Sequence, residues 1–366
     1  MSATGNSGLN AGEGGRLKVL YYGPPLLRIG ATNVMIAVVN ALVARGHEVH
    51  ILVEDRGDAA IASELGAGVV VHHTRLWRGG VWHGPLRRLA WGANRLAALA
   101  GLLRRESFDV AIVDITESIR QFLGLRSLMR LRLPVVMRVG LLAATRAEGE
   151  RLPSLEHRRM RRDVARADAV VVPSRTAREE LVAIGCADAE KIVVIPNEVD
   201  GGRIRELARE EAPLEGNAAF CSVGALIPRK AFDLLYRAVA RLKQDAAVEP
   251  ELLRTWIVGE GNARRELEEL GRTLDVPEVR LVGRLDNPWA AIARCRCFVA
   301  TSLQDGFMLA LAEAAMLGVP VIYPDRGVGV ADELRALGIG RSFERGNVES
   351  LAAAMKVELL APSTIT

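Results

Sequence analysis

Two acids in the second half of the chain, Asp305 and Glu313, have the types and spacing to do chemistry. The apolar run Cys297–Ala300 before them predicts a buried strand, and Phe307–Leu317 predicts a helix that ends at a glycine. A carboxylate on an otherwise apolar helix is costly unless it accepts hydrogen bonds. The two acids therefore have either structural partners, with Asp305 as a helix N-cap, or a ligand.

The ligand hypothesis rests on the order strand, glycine turn, helix. The first amides of a helix have no partner within it and the helix dipole is positive there, so this corner is an anion site. A phosphate would lie over Gly306, Phe307, Met308 and Leu309. The two acids would then accept hydrogen bonds from hydroxyl groups on either side of the phosphate. A ligand with hydroxyl groups at both ends and a diphosphate between them is a nucleotide sugar.

Length and composition predict two globular domains. The chain has 366 residues, of which 49% are hydrophobic and 25% charged. No apolar run reaches the roughly 18 residues of a membrane span, and the Gly- and Ser-rich leader lacks the apolar segment of a signal peptide. The predicted organisation is a disordered leader (1–15), a first domain (16–200), a linker (201–216) and a second domain (217–366).

Cysteine usage and charge indicate the compartment and the partners. The four cysteines have no CxxC pair and no Cys/His metal spacing, which predicts reduced structural thiols in a cytosolic protein and no metal site. The net charge is +4 and the densest clusters of arginines, such as those within 75–105 and 158–166, lie in the first half, which favours an anionic lipid or an anionic substrate as partner.

The segment 76–105 interleaves three tryptophans with six arginines. An amphipathic helix of this kind suits an anionic membrane surface, and a solvated helix with its tryptophans in the core fits equally well. The first interpretation places the protein in the cytoplasm, peripheral on the inner face of the membrane. No nucleic-acid-binding motif accompanies the charge, so nucleic acid is not an expected partner.

Apolar strands alternate with helical segments in both halves, which predicts an α/β protein with two doubly wound, Rossmann-like parallel sheets. The predicted strands are 17–23, 46–53, 68–71, 109–113, 134–139, 169–173 and 192–196 in the first half, and 218–223, 255–258, 279–282, 297–300 and 319–323 in the second. Ligands of such sheets gather at the carboxyl ends of the strands. Two such domains facing each other across a cleft would make a two-sided site.

Several strand ends carry further candidate residues. Gly224, Arg229 and Lys230 follow the first strand of the second half, where Lys230 is predicted to open a helix and place an ammonium group against a diphosphate. A solvated helix start is the alternative interpretation.

Three more positions could offer backbone groups to a ligand. Gly30 follows the first strand of the chain and would let the loop backbone approach a phosphate or sugar, although no GxGxxG motif is present. Gly259 and Val282 stand at glycine-rich strand ends that could line a pocket for the base. An ordinary turn is the alternative at each position.

Taken in order, these motifs resemble the retaining glycosyltransferases of group 1, family 4, which have the GT-B fold. The resemblance covers roughly residues 17 to 355. The matching stretches are Gly30, Gly46–Val49, Val172–Ser174, Ile195–Asp200, Val223–Gly224, Pro228–Lys230, Val258–Gly261, Val282–Arg284, Asp305–Phe307, Glu313–Ala314 and Gly318–Val321.

The resemblance implies a nucleotide-diphosphate sugar as donor substrate, a retaining transfer, and no dedicated metal or covalent cofactor. Glu313 would hold the ribose hydroxyls and Asp305 the transferred sugar. The amides of 307–309 would hold the diphosphate together with Lys230, and Gly30 would reach it from the other domain. The resemblance implies little about the acceptor, for which a sugar, a polysaccharide or a lipid-linked sugar all fit.

Four departures from the family's pattern matter. Asp305 replaces a glutamate, and Ala225 stands where an arginine commonly contacts the diphosphate, a contact that Arg229 could replace. The stretch 134–140 lacks the usual histidine, and the helix that usually returns to the first domain is expected to be short after 349–360. The alternative to a glycosyltransferase is therefore a non-catalytic relative that binds a nucleotide sugar or a partner. A nucleotide-sugar epimerase is the third hypothesis.

Overall fold

The computed structural model describes residues 15–23, 26, 30–54, 59–74, 85–114, 116–140 and 154–361. Within these ranges, only the backbone is described for residues 54, 59–60, 85–91, 116–117 and 154–157. The leader 1–15, apart from Gly15, lies outside the described residues. So do the three tryptophan side chains of segment 76–105, on which the membrane prediction depends. Within the described part of the chain, no helix combines the length and apolarity needed to span a membrane.

Two parallel sheets organise the protein, as the alternation of strands and helices predicts. The first has seven strands in the order β3-β2-β1-β4-β5-β6-β7, and the second has six in the order β10-β9-β8-β11-β12-β13. The strands of the first sheet are β1 (Lys18–Tyr22), β2 (Glu48–Glu54), β3 (Val69–Thr74), β4 (Val110–Asp114), β5 (Val135–Arg138), β6 (Ala169–Val172) and β7 (Ile192–Val194). Those of the second are β8 (Ala218–Val223), β9 (Thr255–Val258), β10 (Val279–Gly283), β11 (Cys295–Val299), β12 (Val321–Pro324) and β13 (Arg341–Phe343).

Helices connect the strands. They are α1 (Gly30–Ala44), α2 (Ala59–Ala62), α3 (Pro85–Arg105), α4 (Thr116–Leu128), α5 (Ser154–Arg166), α6 (Arg175–Ala183), α7 (Gly201–Leu207), α8 (Phe232–Lys243), α9 (Arg264–Thr273), α10 (Trp289–Ile292), α11 (Leu309–Met316), α12 (Gly329–Ala336) and α13 (Val348–Leu360). The predicted linker 201–216 contains α7.

The chain divides into two compact units, one drawn from Met1–Arg138 and Arg166–Val170 and the other from Val139–Ala165 and Val171–Thr366. The domain boundaries predicted at residues 200 and 217 stay a prediction.

The second sheet is apolar on both faces because helices cover both. One face packs against α8 and α13 through residues such as Phe220 and Ile257. The other packs against α11 and α12 through residues such as Trp256 and Phe298. All four cysteines are buried and free. This rigid layer fixes the carboxyl ends of β8 to β12, where the candidate site lies.

Three sequence-based expectations need correction. The helix predicted from Phe307 begins at Leu309, because Met308 adopts a left-handed conformation with φ 64°. Lys230 does not open a helix: it ends a short 3-10 turn, and α8 follows after Ala231. The strand β13 was not predicted, since two of its three residues are exposed and it contains no apolar run.

Candidate functional site

The carboxyl edge of the second sheet brings Lys230 and Asp305 together. Oδ2 of Asp305 lies 2.5 Å from Nζ of Lys230 and 3.5 Å from Nη1 of Arg229. Burial alone would raise the pKa of Asp305, but the adjacent Lys230 ammonium and the Arg229 guanidinium hold that pKa below its usual value. Asp305 is therefore an ionised carboxylate between two cations.

Backbone and side-chain hydrogen bonds fix the turn that carries the two cations. The hydroxyl of Thr301 donates to the carbonyl of Lys230 at 2.7 Å, and the amide of Leu303 donates to the carbonyl of Arg229 at 2.9 Å. Ala231 closes the turn with a φ of 47°, a conformation that non-glycine residues rarely adopt. The end of β11 thus holds the Lys230 ammonium in place.

The loop between β11 and α11 is built around the second oxygen of Asp305. Oδ1 of Asp305 accepts a hydrogen bond from the amide of Met308 at 3.1 Å. Helix α11 follows from Leu309, and its first amides have no acceptor within the helix. The predicted phosphate-binding residues Gly306, Phe307 and Met308 therefore lie in the loop whose Asp305 contacts Lys230, and Leu309 begins the helix that follows.

Helix α6 supports this loop, a role that the sequence did not predict. The hydroxyl of Ser174 donates to the carbonyl of Gly306 at 2.9 Å and, as the N-cap of α6, accepts from the amide of Ala177 at 3.1 Å. The side-chain amide of Gln304 donates to Glu180 at 3.2 Å. The Val172–Ser174 stretch was a visible signal of the family resemblance, but nothing in the sequence pointed to its contact with Gly306.

Gly329, at the start of α12, was also missed. A side chain at this position would place Cβ 2.0 Å from the carbonyl oxygen of Gly306 and 2.4 Å from Oγ of Ser174. The amide of Gly329 also donates to the carbonyl of Asp305 at 2.9 Å. The backbone of the loop and the start of α12 therefore touch, and only glycine fits.

We expect Gly329→Ala to lower the free energy of unfolding by about 1–3 kcal/mol, the usual cost of overpacking, because the clash involves backbone that cannot rotate away. Chemical denaturation measures this loss. Gly124→Ala in helix α4 is the matched control, since Cβ there meets nothing within 4 Å, and it should be neutral or slightly stabilising. Equal stabilities for the two variants would contradict the close approach.

Glu313 lies half-buried in the second turn of α11. Burial raises the pKa of Glu313 to about 7, and the indole N–H of Trp289 partly offsets this effect. Nε1 of Trp289 is buried and completes no hydrogen bond among the described residues. A ligand with vicinal hydroxyl groups could satisfy both the carboxyl of Glu313 and the indole of Trp289.

The glycine-rich strand ends lie at the same edge of the sheet. Gly259 has a φ of 148°, and a Cβ there would lie 1.9 Å from the carbonyl oxygen of Gly224. A Cβ at Gly224 would lie 3.4 Å from Cε of Lys230. Val282 is half-buried beside the α11 face of the core. Glycine is required at position 259 because two strand ends approach each other closely there. The sequence alone could not distinguish this requirement from the close approach of a ligand.

The first sheet, described by itself, carries a second polar cluster at its carboxyl edge. Asp114 accepts hydrogen bonds from Nη1 of Arg138 at 2.7 Å and from the hydroxyl of Tyr21 at 3.0 Å. Burial raises the pKa of Tyr21 well above its usual value, so the phenol remains a donor. Arg138 stands in the stretch where the family's histidine is missing. Gly30 is the exposed first residue of α1.

Comparison with known proteins identifies the class. The solved structure of HepE from Anabaena in complex with UDP and glucose has a similar fold, with a TM-score of 0.70 and 18% identity over 94% of this chain and 90% of that one. That fold is GT-B. The model of Glycosyltransferase Family 4 matches residues 29–203, and the model of Glycosyl transferases group 1 matches residues 217–360. The chain belongs to this family, glycosyltransferase group 1 / family 4, whose members are retaining enzymes.

Two curated relatives are similar in sequence. One is the N-acetylgalactosamine-N,N'-diacetylbacillosaminyl-diphospho-undecaprenol 4-alpha-N-acetylgalactosaminyltransferase of Campylobacter jejuni, 30% identical over 53% of this chain and 51% of that protein. The other is the GDP-mannose-dependent alpha-mannosyltransferase of Mycolicibacterium smegmatis, 28% identical over 81% of this chain and 76% of that protein. The match thus spans about half the length of the first relative and three quarters of the second.

Proposed function

We propose that the protein transfers a sugar from a nucleoside-diphosphate sugar to an acceptor, with retention of configuration. The observation that carries this proposal is the arrangement at the carboxyl edge of the second sheet. At this edge Lys230 contacts Asp305 in the loop before α11, and the half-buried Glu313 lies in the second turn of that helix. These groups suit a diphosphate and a ribose, respectively. Family membership supports the same reaction.

In this proposal the second sheet serves the leaving group. When the bond between the sugar and the diphosphate breaks, negative charge develops on the diphosphate. The ammonium of Lys230, the guanidinium of Arg229 and the amides of 307–309 would stabilise that charge, and preorganised donors of this kind are usually the largest catalytic contribution. Arg229 would take the role of the arginine that the family commonly has at the position of Ala225, since the Arg229 guanidinium already lies 3.5 Å from Asp305.

At the other end of the donor, Glu313 and Trp289 would hold the ribose. Above its pKa of about 7, an ionised Glu313 can accept hydrogen bonds from the ribose hydroxyls, and the indole of Trp289 adds a donor. UDP is bound in the HepE structure, and the Mycolicibacterium relative is named for GDP-mannose. A uridine or a guanosine diphosphate sugar is therefore the first donor to test.

For the acceptor we propose a lipid-linked sugar at an anionic membrane surface. The Campylobacter relative is named for a diphospho-undecaprenol acceptor. In the described part of segment 76–105, Arg104 and Arg105 are exposed. Exposed arginines also line α5, at Arg158, Arg159, Arg161 and Arg162. Each of these two groups of arginines, taken by itself, would gain electrostatic attraction to anionic lipid.

The membrane proposal predicts that the protein sediments with vesicles containing phosphatidylglycerol at low salt and stays in the supernatant with phosphatidylcholine alone. Replacing the four α5 arginines by glutamine should lower the bound fraction, because each basic residue near the surface contributes roughly 1 kcal/mol. The matched control replaces four exposed arginines that lie outside α5: Arg237, Arg265, Arg272 and Arg280. Binding that is independent of lipid charge would contradict the proposal.

The donor reaction is tested by incubating the protein with UDP-, GDP-, ADP- and dTDP-sugars and following release of the nucleoside diphosphate. Slow hydrolysis of one donor that disappears in Glu313→Ala would support the transferase. Stabilisation of the fold by a donor with no turnover, even in the presence of lipid-linked acceptors, would favour the non-catalytic relative, as Ala225 and the missing histidine suggest.

A further inference from the structure

The place proposed for the donor's phosphates is taken by a carboxylate of the protein itself. One oxygen of Asp305 lies 2.5 Å from the Lys230 ammonium, and the other accepts the Met308 amide at 3.1 Å. We propose that Asp305 is an internal anion that competes with the nucleoside diphosphate for Lys230 and the Met308 amide, and that donor binding displaces it. This inference rests on the proposed function, because it assigns those two groups to the diphosphate.

The chemistry of the two anions supports competition. A carboxylate and a phosphate both bind a cation on one oxygen and a backbone N–H on another. Asp305 uses its two oxygens in this way. The Met308 amide has one hydrogen to donate, so a diphosphate oxygen that took it would have to displace the carboxylate, whereas at the three-donor Lys230 ammonium the two anions compete for the same positive charge. The family resemblance gave this acid a different role, contact with the transferred sugar, and assigned it to a side chain one methylene longer.

Charge favours the same interpretation. Lys230 and Arg229 share one carboxylate, and the side chains of Lys230 and Asp305 are only 11% and 15% exposed. Water screens a pair in such a position poorly. While Asp305 stays in place, it cancels part of the positive charge that a diphosphate would meet.

The backbone allows Asp305 to move by side-chain rotation alone. The amide of Asp305 donates to the carbonyl of Gly327 at 2.7 Å, and its carbonyl accepts from the amide of Gly329 at 2.9 Å. These bonds hold the main chain of Asp305 whatever its side chain does. Met308, by contrast, is in the left-handed region with φ 64° and ψ 75°, a strained conformation next to the bond that would break.

A positioning role for Asp305 makes the opposite prediction. If the carboxylate only preorganises Lys230 and the loop for the diphosphate, its removal loosens the site and weakens nucleotide binding. If it competes, removal of its charge strengthens binding. The sign of the change therefore decides between the two roles.

The experiment is calorimetric titration of UDP, GDP, ADP and dTDP into the full chain and into Asp305→Asn and Asp305→Ala. Asparagine keeps an acceptor for the Met308 amide and removes the charge, whereas alanine removes both. Asp233→Asn is the matched control, an acid in the first turn of α8 whose side chain is 51% exposed. We expect Asp305→Asn to bind the preferred nucleotide about tenfold more tightly than wild type, the factor that a lost competing bond to a charged group can supply.

That gain should shrink as sodium chloride is raised, while Asp233→Asn should match wild type. Equal or weaker binding by Asp305→Asn, with wild type still binding, would overturn the competition and leave the proposed function intact. Failure of wild type and both Asp305 variants to bind any of the four nucleotides would overturn the proposed function, and this inference with it.

Discussion

Lys230→Ala should reduce the turnover number by a factor of about 10² to 10³. The reason is that the ammonium would meet negative charge that develops on the diphosphate, and a preorganised donor of that kind acts mainly in the transition state. The position of Lys230 supports this size of effect, since Thr301 and Leu303 fix the turn that carries it. Steady-state kinetics with the preferred donor measures the change.

The control for this prediction is Lys243→Ala at the end of α8. Lys243 also pairs with a carboxylate, Glu278, at 3.2 Å, but lies away from the strand ends that carry the site. Lys243→Ala should therefore leave the turnover number unchanged. Lys230→Ala should lower the turnover number strongly and the free energy of unfolding only slightly, because Arg229 remains 3.5 Å from Asp305. A turnover number equal to wild type would remove Lys230 from the site.

Glu313→Gln should weaken donor binding at least tenfold and, at the same time, stabilise the folded protein at alkaline pH. The loss of binding follows from removal of a carboxyl that would receive the ribose hydroxyls, since hydrogen bonds to charged groups contribute about 1.5–3 kcal/mol. The gain in stability follows from burial, which raises the pKa of Glu313 from 4.5 to about 7. Ionising this carboxyl therefore costs the folded state more than the unfolded one.

The direction of the pH dependence follows from linkage. Between pH 4.5 and 7 the folded state binds more protons at Glu313 than the unfolded state does, so this residue makes the protein less stable as the pH rises through that window. At pH 8 Glu313→Gln should exceed wild type by about 1–3 kcal/mol in the free energy of unfolding. The difference should shrink towards zero as the pH falls to 4.5. Urea denaturation of both proteins at the two pH values measures it, and a constant difference would contradict the assigned burial.

Much of the fold could be predicted because buried parallel strands are short apolar runs between turn residues. The run 297–300 is such a case, and the structure has β11 at Cys295–Val299. The strand β13 escaped prediction because only Phe343 of its three residues is buried. Its place in the sheet is decided by pairing with β12, which leaves no periodic signal in so short a segment.

The candidate site shows where sequence reasoning ends. The sequence already showed that the Glu313 carboxylate, flanked by alanines, would be costly to bury. In the folded chain, the same burial raises the pKa of Glu313. What the sequence could not show is which groups meet across the chain. The bond from Ser174 to Gly306 spans 132 residues, and that from Lys230 to Asp305 spans 75. Local patterns carry no information about such distances.

The left-handed conformation of Met308 had no signal either, since methionine is not a residue that favours it. It shifts the start of α11 by two residues from the predicted Phe307. This shift changes the expectation for the site, because the Met308 amide is already bonded to Asp305 at 3.1 Å.

The central claim is that a nucleoside-diphosphate sugar binds at the edge formed by Lys230, the loop 305–309 and Glu313. Calorimetric titration of the preferred donor sugar into wild type and Glu313→Ala tests it most directly, with Glu349→Ala as an exposed control on α13. We predict saturable binding to wild type and to the control, and at least a tenfold loss of affinity in Glu313→Ala with the fold retained. Unchanged affinity in Glu313→Ala would place the donor elsewhere and contradict the account.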